Sequence, residues 1–317
     1  MKNEAVYAVL IAFFLNIIIS PFAIPILQKL KFGQNVRDDG PNTHLKKSGT
    51  PTMGGMIILM SIIVTTVCFL SGNRRAQTVL MGVIGFGVIG FCDDYIKVIK
   101  KRSLGLTAVQ KLIAQLIVTC VFAYLLTNYA GISTEIIIPF TKGMTWDLGV
   151  FYWPFLVFTT LAVVNAVNLT DGVDGLASSV TVLVATFFTA VALMMQNAAV
   201  LVAAATVGSL LGFLLFNSYP ARVFMGDTGS LALGGFVAMM AFVLQMPLFI
   251  PLIGIIYVIE NVSVIVQVAY FKKTKKRLLR MAPIHHHLEL GGWPETKVVT
   301  VFAIITAIMC LVGLIAL

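Results

Sequence analysis

The sequence predicts an all-α integral membrane protein, because both its composition and its hydropathy pattern are those of a chain embedded in lipid. Of its 317 residues, 59% are hydrophobic and 11% are charged, and the mean hydropathy is +0.97. The apolar residues fall into about ten runs of roughly 20 residues, each long enough for a helix that crosses a hydrocarbon core of roughly 30 Å. These observations exclude a soluble enzyme.

The polar segments are too short to form a separate soluble domain. The longest, 31–52 and 272–297, contain 22 and 26 residues, whereas an independent domain needs about 50. We therefore expect residues 1–317 to form a single polytopic membrane domain. Any chemistry must then be carried by short loops and helix ends.

The charges predict how the helices are oriented in the membrane. The first apolar run is too long for the core of a signal peptide and is taken as the first span. The predicted spans are 5–28, 53–71, 77–92, 108–127, 151–167, 176–195, 199–216, 230–246, 249–271 and 298–317. The loops 29–52, 93–107, 168–175, 217–229 and 272–297, together with Lys111, hold 18 of the 22 Lys and Arg residues. By the positive-inside rule these loops are cytoplasmic, and both termini are extracytoplasmic.

Acidic residues are concentrated on the same side. Nine of the thirteen lie in the cytoplasmic loops, and five of these are predicted at span ends, in three short loops: Asp93, Asp94, Asp171, Asp174 and Asp227. Helix packing could bring these five together. A carboxylate cluster among Lys and Arg is typical of a Mg²⁺ site that handles phosphates. The alternative is that they are solvated loop charges.

Three segments carry these carboxylates. In Asp93-Asp94-Tyr95-Ile96-Lys97, adjacent carboxylates need a cation nearby, and Lys97 could also form a simple helix-face ion pair. Asn168 to Ala177 contains two Asp-Gly pairs suited to a sugar or nucleoside, although one Asp could serve as a helix N-cap. Phe216 to Ser230 offers Asp227 as a Mg²⁺ ligand and Phe224 to stack on a base or to pack between spans.

Glycine patterns within the spans indicate close helix packing. Gly85, Gly87 and Gly90 match a dinucleotide-binding pattern, but they lie inside an apolar span with no preceding strand, so that function is rejected. Small residues that allow membrane helices to approach closely explain them better. The same interpretation applies to Gly208 and Gly212.

The last cytoplasmic loop and the ninth span contain further polar residues. His285, His286 and His287 are consecutive, so their side chains diverge and are ill suited to joint zinc binding; hydrogen bonds to phosphate or sugar oxygens fit better. Glu260 lies within span nine and should have a polar partner. Prolines 247 and 251 predict that this span is bent and frames a groove for a lipid tail.

The motifs, in this order along the whole chain, resemble the polyprenyl-phosphate N-acetylhexosamine-1-phosphate transferase superfamily, and in particular its phospho-N-acetylmuramoyl-pentapeptide transferase branch. The segments that carry the resemblance are Gly49 to Gly55, Asp93 to Lys97, Ser103 to Leu106 with Lys111, Asn168 to Ala177, Phe224 to Asp227 and Pro283 to His287. The first and the last of these favour the muramoyl-pentapeptide branch over N-acetylglucosamine relatives.

The resemblance implies a reaction and its location. UDP-N-acetylmuramoyl-pentapeptide and undecaprenyl phosphate would give lipid I and UMP with Mg²⁺, a step of peptidoglycan synthesis in cell wall biogenesis. The enzyme would be a multi-pass protein of the bacterial cytoplasmic membrane, and a homodimer. The alternatives are a UDP-N-acetylglucosamine transferase and, in another class, a transporter of anionic substrates, which would place its charges nearer the bilayer midplane.

The resemblance also assigns roles to residues. Asp227 would bind Mg²⁺, and Asp93 and Asp94 would engage the lipid phosphate or the metal; with Lys111 they form the catalytic group. Phosphates would be bound by Lys47, Lys97 and Lys111. The nucleoside and diphosphate would be surrounded by Asn168, Asp171, Asp174, Asn217, Phe224 and Gly226. Gln267, His285, His286 and His287 would meet the distal sugar and peptide.

Overall fold

The computed structural model describes residues 1–29, 49–69, 72–100 and 104–317. The described helices are α1 (Lys2–Lys29), α2 (Gly55–Phe69), α3 (Arg74–Ile99), α4 (Ala108–Tyr124), α5 (Tyr152–Thr170), α6 (Leu176–Met194), α7 (Val200–Asn217), α8 (Gly226–Val243), α9 (Ile250–Ile253), α10 (Ile255–Thr274), α11 (Ile284–Glu289) and α12 (Glu295–Ile315). A π-helical turn, Leu125–Tyr129, continues α4. Two 3₁₀ turns, Gly149–Phe151 and Pro247–Phe249, precede α5 and α9.

The all-α membrane fold is confirmed. Within the described ranges, nine helices are long and apolar enough to cross a membrane, and α2 is a shorter apolar helix. Together they match the ten predicted spans. Large apolar side chains on the outside of the bundle are exposed, such as Phe22 on α1 and Ile315 on α12, at 71% and 81%. Such a surface is stable where lipid covers it.

The core of the bundle is α8. Every residue from Thr228 to Val243 is buried. The most extensive packing joins α8 to α3, and α5 also lies against α8, while α1 packs along α7. The N-terminus of α8 therefore lies beside the C-terminal part of α3, where the acidic residues of both helices are found.

Glycines allow these helices to cross closely. A Cβ atom on Gly90 of α3 would lie 2.1 Å from the backbone oxygen of Asp227, and one on Gly208 of α7 would lie 2.0 Å from that of Val9. Real Cβ atoms do not approach backbone so closely, so only glycine fits. The interpretation of these glycines as packing residues is confirmed.

Two helix boundaries differ from the prediction in a way that matters for the site. The expectation that Asp93 and Asp94 lie in a loop is wrong, because α3 continues to Ile99. Asp227 likewise lies in the first turn of α8 rather than in the preceding loop. Carboxylates are tolerated at these positions because Lys97 lies one turn after Asp93 and pairs with it. The polar ends of the helices extend beyond their apolar runs.

Span nine is interrupted rather than continuous. The helix breaks at Gly254 between α9 and α10. Tyr257 packs over this break, and its hydroxyl lies 2.8 Å from the Thr181 hydroxyl of α6. The predicted bend is therefore present, and it lies at Gly254, a few residues after Pro251.

A short antiparallel hairpin was not predicted. Strands β1 (Glu135–Ile137) and β2 (Thr145–Asp147) pair with Ile136 opposite Trp146. The hairpin contacts the bundle through backbone hydrogen bonds from Ile137 to Gln245 and from Phe140 to Ala316. It closes the bundle end at which α8 and α12 terminate, opposite the carboxylates.

Candidate functional site

Three carboxylates from two helices converge where α3 meets the start of α8. Asp93, Asp94 and Asp227 each place an oxygen within 4.8 Å of the others. Asp93 and Asp94 are each 2% exposed. The tight crossing at Gly90 brings the two helices this close, so the packing of the core determines the geometry of the cluster.

Two lysines and an asparagine surround the Asp227 carboxylate. Lys97 Nζ lies 2.7 Å from Asp227 Oδ2 and 2.6 Å from Asp93 Oδ2. Lys111 Nζ lies 3.1 Å from the same Asp227 oxygen. Asn168 donates to Asp227 Oδ1 at 2.7 Å and to Ser230 Oγ at 2.8 Å. These residues come from α3, α4, α5 and α8, so the site depends on the whole bundle.

Asp94 has a different environment because it caps α8. Its Oδ1 accepts from the backbone N–H of Asp227 at 3.1 Å. Its Oδ2 accepts from the backbone N–H and the hydroxyl of Thr228, at 2.9 and 2.7 Å. The first N–H groups of a helix have no partner within the helix and favour negative charge. Asp94 thus joins α3 to α8 and uses both of its oxygens in doing so.

Gly226 and the segment 49–55 form the adjoining wall. Gly226 has φ +68°, and a Cβ atom there would lie 2.6 Å from both Asp94 Oδ2 and Thr52 Oγ1. The Phe224 N–H donates to the Pro51 oxygen, and the Phe224 oxygen accepts from Gly54, both at 2.8 Å. This pairing places the Gly49 to Gly55 segment directly beside the start of α8 and leaves Phe224 half-buried.

Asp171 and Asp174 lie in the turn between α5 and α6. Burial, reinforced by the negative charges of Asp227, Asp94 and Asp174, raises the pKa of Asp171 to about 8. Asp171 therefore lies near enough to the carboxylate cluster to interact with its charge, although it is not one of the three carboxylates that converge there. Asp174 is buried, and its Oδ2 accepts from the Ala221 N–H at 2.9 Å.

The amide side chains of Asn217 and Gln267 are engaged within the fold. Asn217 accepts from the Ser178 hydroxyl at 2.8 Å and donates to the Val223 oxygen at 3.0 Å. Gln267 accepts from the N–H groups of Leu278 and Leu279 at 3.1 and 2.9 Å. In this structure both side chains therefore shape the loops beside the site.

The three histidines have different partners, but the expectation that their side chains diverge is wrong for the first two, because the rings of His285 and His286 lie edge to face with centroids 4.1 Å apart. They lie at the start of α11, at positions 285, 286 and 287. His285 is fully buried against Glu260, with Nδ1 3.0 Å from Oε2, which gives Glu260 the polar partner expected of an acid in a span. His286 lies 2.8 Å from Glu289, and His287 accepts from the Arg280 N–H at 3.1 Å.

The structure brings together much of the predicted set, and it adds residues that the sequence alone did not reveal. One network of contacts, centred on Asp227, joins six of the predicted residues: Asp93, Asp94, Lys97, Lys111, Asn168 and Asp227. Lys47 lies outside the described residues. Thr228, Ser230 and the N–H of Leu106, which donates to Asp93 at 2.8 Å, were not predicted. The hydroxyl side chains that follow Asp227 were a usable signal, since they occupy the first turn of a helix.

The cluster has the chemistry of a cation site. The three carboxylates face two ammonium groups, which leaves one negative charge uncompensated. Carboxylate oxygens are the donors that hard divalent cations prefer. Lys97 Nζ lies within 4 Å of all three carboxylates, so its ammonium group lies where a cation shared by the three carboxylates would lie. The residues present therefore fit a divalent metal ion.

We expect the Asp171→Asn substitution to weaken the pH dependence of stability and to lower activity. The folded protein keeps the Asp171 proton up to about pH 8, whereas an unfolded chain releases it near pH 4. Stability of the cation-free protein should therefore fall as pH rises through this window. An amide at this position cannot ionise, so the thermal midpoint of the Asp171→Asn variant should fall less between about pH 5 and about pH 9, while turnover decreases. Equal pH slopes in parent and variant would contradict the assignment.

Comparison with known proteins agrees with these features. Residues 76–245 match glycosyl transferase family 4. Proteins named phospho-N-acetylmuramoyl-pentapeptide-transferase are similar over almost the full chain. The one from Clostridium kluyveri is 52% identical and is covered over 99% of each chain. That from Clostridium botulinum is 53% identical, over 98% of this chain and 95% of its own. That from Clostridioides difficile is 50% identical, over 99% and 98%. The chain therefore belongs to glycosyl transferase family 4 and, within it, to the phospho-N-acetylmuramoyl-pentapeptide transferases.

Proposed function

We propose that this transferase moves phospho-N-acetylmuramoyl-pentapeptide from its UDP conjugate to undecaprenyl phosphate, releasing UMP and forming lipid I for peptidoglycan synthesis. The observation that carries the proposal is the Asp227 carboxylate, which contacts Lys97, Lys111 and Asn168 beside Asp93 and Asp94. Two phosphate-bearing substrates need positive groups to bind them and carboxylates to hold a cation. The transporter alternative has no support, since the relatives are named transferases over 98% or more of the chain.

Mg²⁺ is the cation that we propose for the carboxylates. Asp227 is the principal ligand, because it faces the open side of the cluster, and Asp93 and Asp94 lie close enough to contribute or to orient the lipid phosphate. Bound Mg²⁺ would neutralise charge on the pyrophosphate of the sugar nucleotide. Lys97 and Lys111 supply positive charge at the same place and would bind phosphate oxygens directly, with Lys47 as a third phosphate ligand.

The remaining predicted residues are proposed to surround the donor substrate. Asp171, Asp174 and Phe224 line the side where the nucleoside would bind, with Asn168, Asn217 and Gly226 shaping the wall around the diphosphate. Gln267, His286 and His287 lie on the loop that follows α10 and would face the sugar and peptide. His285 points inward, so its contribution to substrate binding is indirect.

We propose that the lipid phosphate attacks the donor directly. Its second pKa lies near 6, so it is mostly dianionic at neutral pH and needs no general base. An oxygen of this phosphate would form a bond to the phosphorus that carries the sugar, while the bond from that phosphorus to the UMP oxygen breaks. The competing mechanism uses an aspartate as a covalent nucleophile. Asp94 is poorly suited to this role, because both of its oxygens accept hydrogen bonds from α8.

Isotope exchange distinguishes the two mechanisms. With direct attack, labelled UMP should enter the UDP-sugar only when undecaprenyl phosphate or lipid I is present, because no enzyme-bound sugar phosphate exists without lipid. Exchange in protein freed of lipid phosphate, or a trapped phosphosugar adduct on Asp94, would refute direct attack. The measurement is incorporation of label into the sugar nucleotide in detergent, with the Asp227→Asn variant as a blank.

The cellular setting is also proposed. The lysine-rich loops and the carboxylate cluster would face the cytoplasm of a bacterium, with the β hairpin and both termini outside its cytoplasmic membrane. An isoprenoid tail could then remain in the bilayer while its phosphate reaches the site. The enzyme would be a homodimer, as the family resemblance suggests.

Release of UMP tests the proposed reaction. Purified protein is incubated with undecaprenyl phosphate, Mg²⁺ and one of two sugar nucleotides. We expect UMP and a lipid-linked sugar from UDP-N-acetylmuramoyl-pentapeptide and neither from UDP-N-acetylglucosamine. Release from the second nucleotide alone would assign a different donor, and release from neither would overturn the proposal.

A further inference from the structure

We infer that Glu260 and His285 form a buried positioning pair. The pair fixes the position of the turn between α5 and α6, which carries Asp171, relative to the carboxylate cluster. This rests on the proposed function of the site, but it concerns residues that do not touch substrate. Glu260 lies on α10, His285 lies on α11, and both side chains are fully buried, with Nδ1 of the histidine 3.0 Å from Oε2 of the glutamate.

The Glu260–His285 pair is costly to bury. A carboxylate in a membrane span must find compensation. The side-chain nitrogen and oxygen atoms of Glu260 and His285 have no hydrogen-bond partner among the described residues, and the 3.0 Å contact between Nδ1 and Oε2 lacks hydrogen-bond geometry. Apolar residues of similar size would pack here at lower cost. The pair must therefore do something that packing alone does not require.

The His285 ring lies directly against Gly172. A Cβ atom on Gly172 would lie 2.1 Å from Nε2 and 2.5 Å from Cε1 of the imidazole. The ring is thus pressed against the backbone of the turn between α5 and α6. Gly172 does not have a left-handed φ, so glycine is needed here because of the ring and not because of the backbone conformation.

The turn between α5 and α6 carries two of the predicted substrate-binding residues, Asp171 and Asp174. Asp171 precedes Gly172, and its pKa is raised by burial and by the negative charges of Asp227 and Asp94. Two residues after Gly172, Asp174 accepts from the Ala221 N–H at 2.9 Å. The turn is therefore held by Ala221 at Asp174 and by the His285 ring at Gly172. Glu260 packs against that ring, 3.0 Å from Nδ1, and α10 thereby helps to determine where Asp171 lies.

Substitutions at Glu260 test the pair. Glu260→Leu should lower kcat by about tenfold or more, because a misplaced group near the reacting atoms costs this much. It should also lower the thermal midpoint, since removing one member of a buried pair leaves His285 without its polar neighbour, so kcat is measured per folded molecule. Glu260→Gln keeps a polar side chain of the same size against Nδ1 and should restore most of kcat. The matched control is Glu135→Leu on the exposed strand β1, which should change neither quantity.

Substitutions that change the size of the side chains at Gly172 and His285 give a second, independent measurement. Gly172→Ala should reduce kcat by about tenfold or more in the parent, because the new methyl group collides with the ring. In a His285→Ala background the same substitution should cost less than about threefold, because the ring is gone. The expected coupling and the rescue by Gln both support the pair. Independent, multiplicative losses, or full activity of Glu260→Leu, would overturn it, whereas an inactive parent protein would instead refute the proposed reaction.

Discussion

Asp227→Asn should lower the turnover number by about 1,000-fold or more while the protein still folds, because a neutral amide cannot anchor a divalent cation or hold two ammonium groups by charge. Lys97 and Lys111 both contact Oδ2 of this residue, at 2.7 and 3.1 Å. The helix cap does not depend on the carboxylate, since the bond to Asp94 comes from the backbone N–H of residue 227. The expected result is an inactive but folded enzyme.

The measurement is UMP release per folded molecule, together with thermal unfolding in detergent. The matched control is Asp147→Asn on the exposed strand β2, which carries the same chemical change far from the cluster. It should retain parental activity. If Asp227→Asn kept more than about a tenth of the activity, Asp227 would not be the principal cation ligand.

Gly90→Ala should damage the fold and the site together. The added methyl group would lie 2.1 Å from the Asp227 backbone oxygen, so α3 and α8 must separate at the point where their carboxylates meet. We expect the free energy of unfolding to fall by about 3 kcal/mol, as for an overpacked core. Activity should fall by about 100-fold, because the carboxylates move apart.

Gly85→Ala on the same helix is the control. Its methyl group would lie 2.8 Å from a side-chain methyl of Val118, which can rotate or shift, whereas the backbone of α8 cannot. Its effects on both quantities should therefore be much smaller. Equal losses in the two variants would mean that the crossing at Gly90 has no special role. Thermal unfolding in detergent and UMP release per folded molecule measure both effects.

Much of this architecture follows from the sequence. The spans are predictable because lipid requires about 20 apolar residues for each crossing helix. The clustering of Asp93, Asp94 and Asp227 was also expected. What the sequence did not reveal is that Asp94 caps α8, since this depends on a helix end that lies 133 residues away. The spacing of residues in the sequence predicts contacts within one helix but not contacts between two helices.

The loop histidines illustrate the same limit. Their spacing predicts that the three side chains diverge, and their partners do differ, but the rings of His285 and His286 remain in edge-to-face contact. It does not predict that His285 turns inward to Glu260, because that contact depends on how the loop after α10 folds back onto this helix. The hairpin was missed because its three-residue strands carry too little pattern to distinguish them from a loop.

The Asp94 cap has a consequence for how the protein is assembled during synthesis. Asp93 and Asp94 enter the membrane with α3, long before the ribosome has made the α8 backbone that will bond to Asp94. Carboxylates at the end of a nascent span are costly wherever lipid reaches them. Lys97 belongs to the same helix and lies 2.6 Å from Asp93, so α3 carries its own counter-ion through insertion. Loss of Lys97 should therefore reduce the yield of inserted protein as well as its activity.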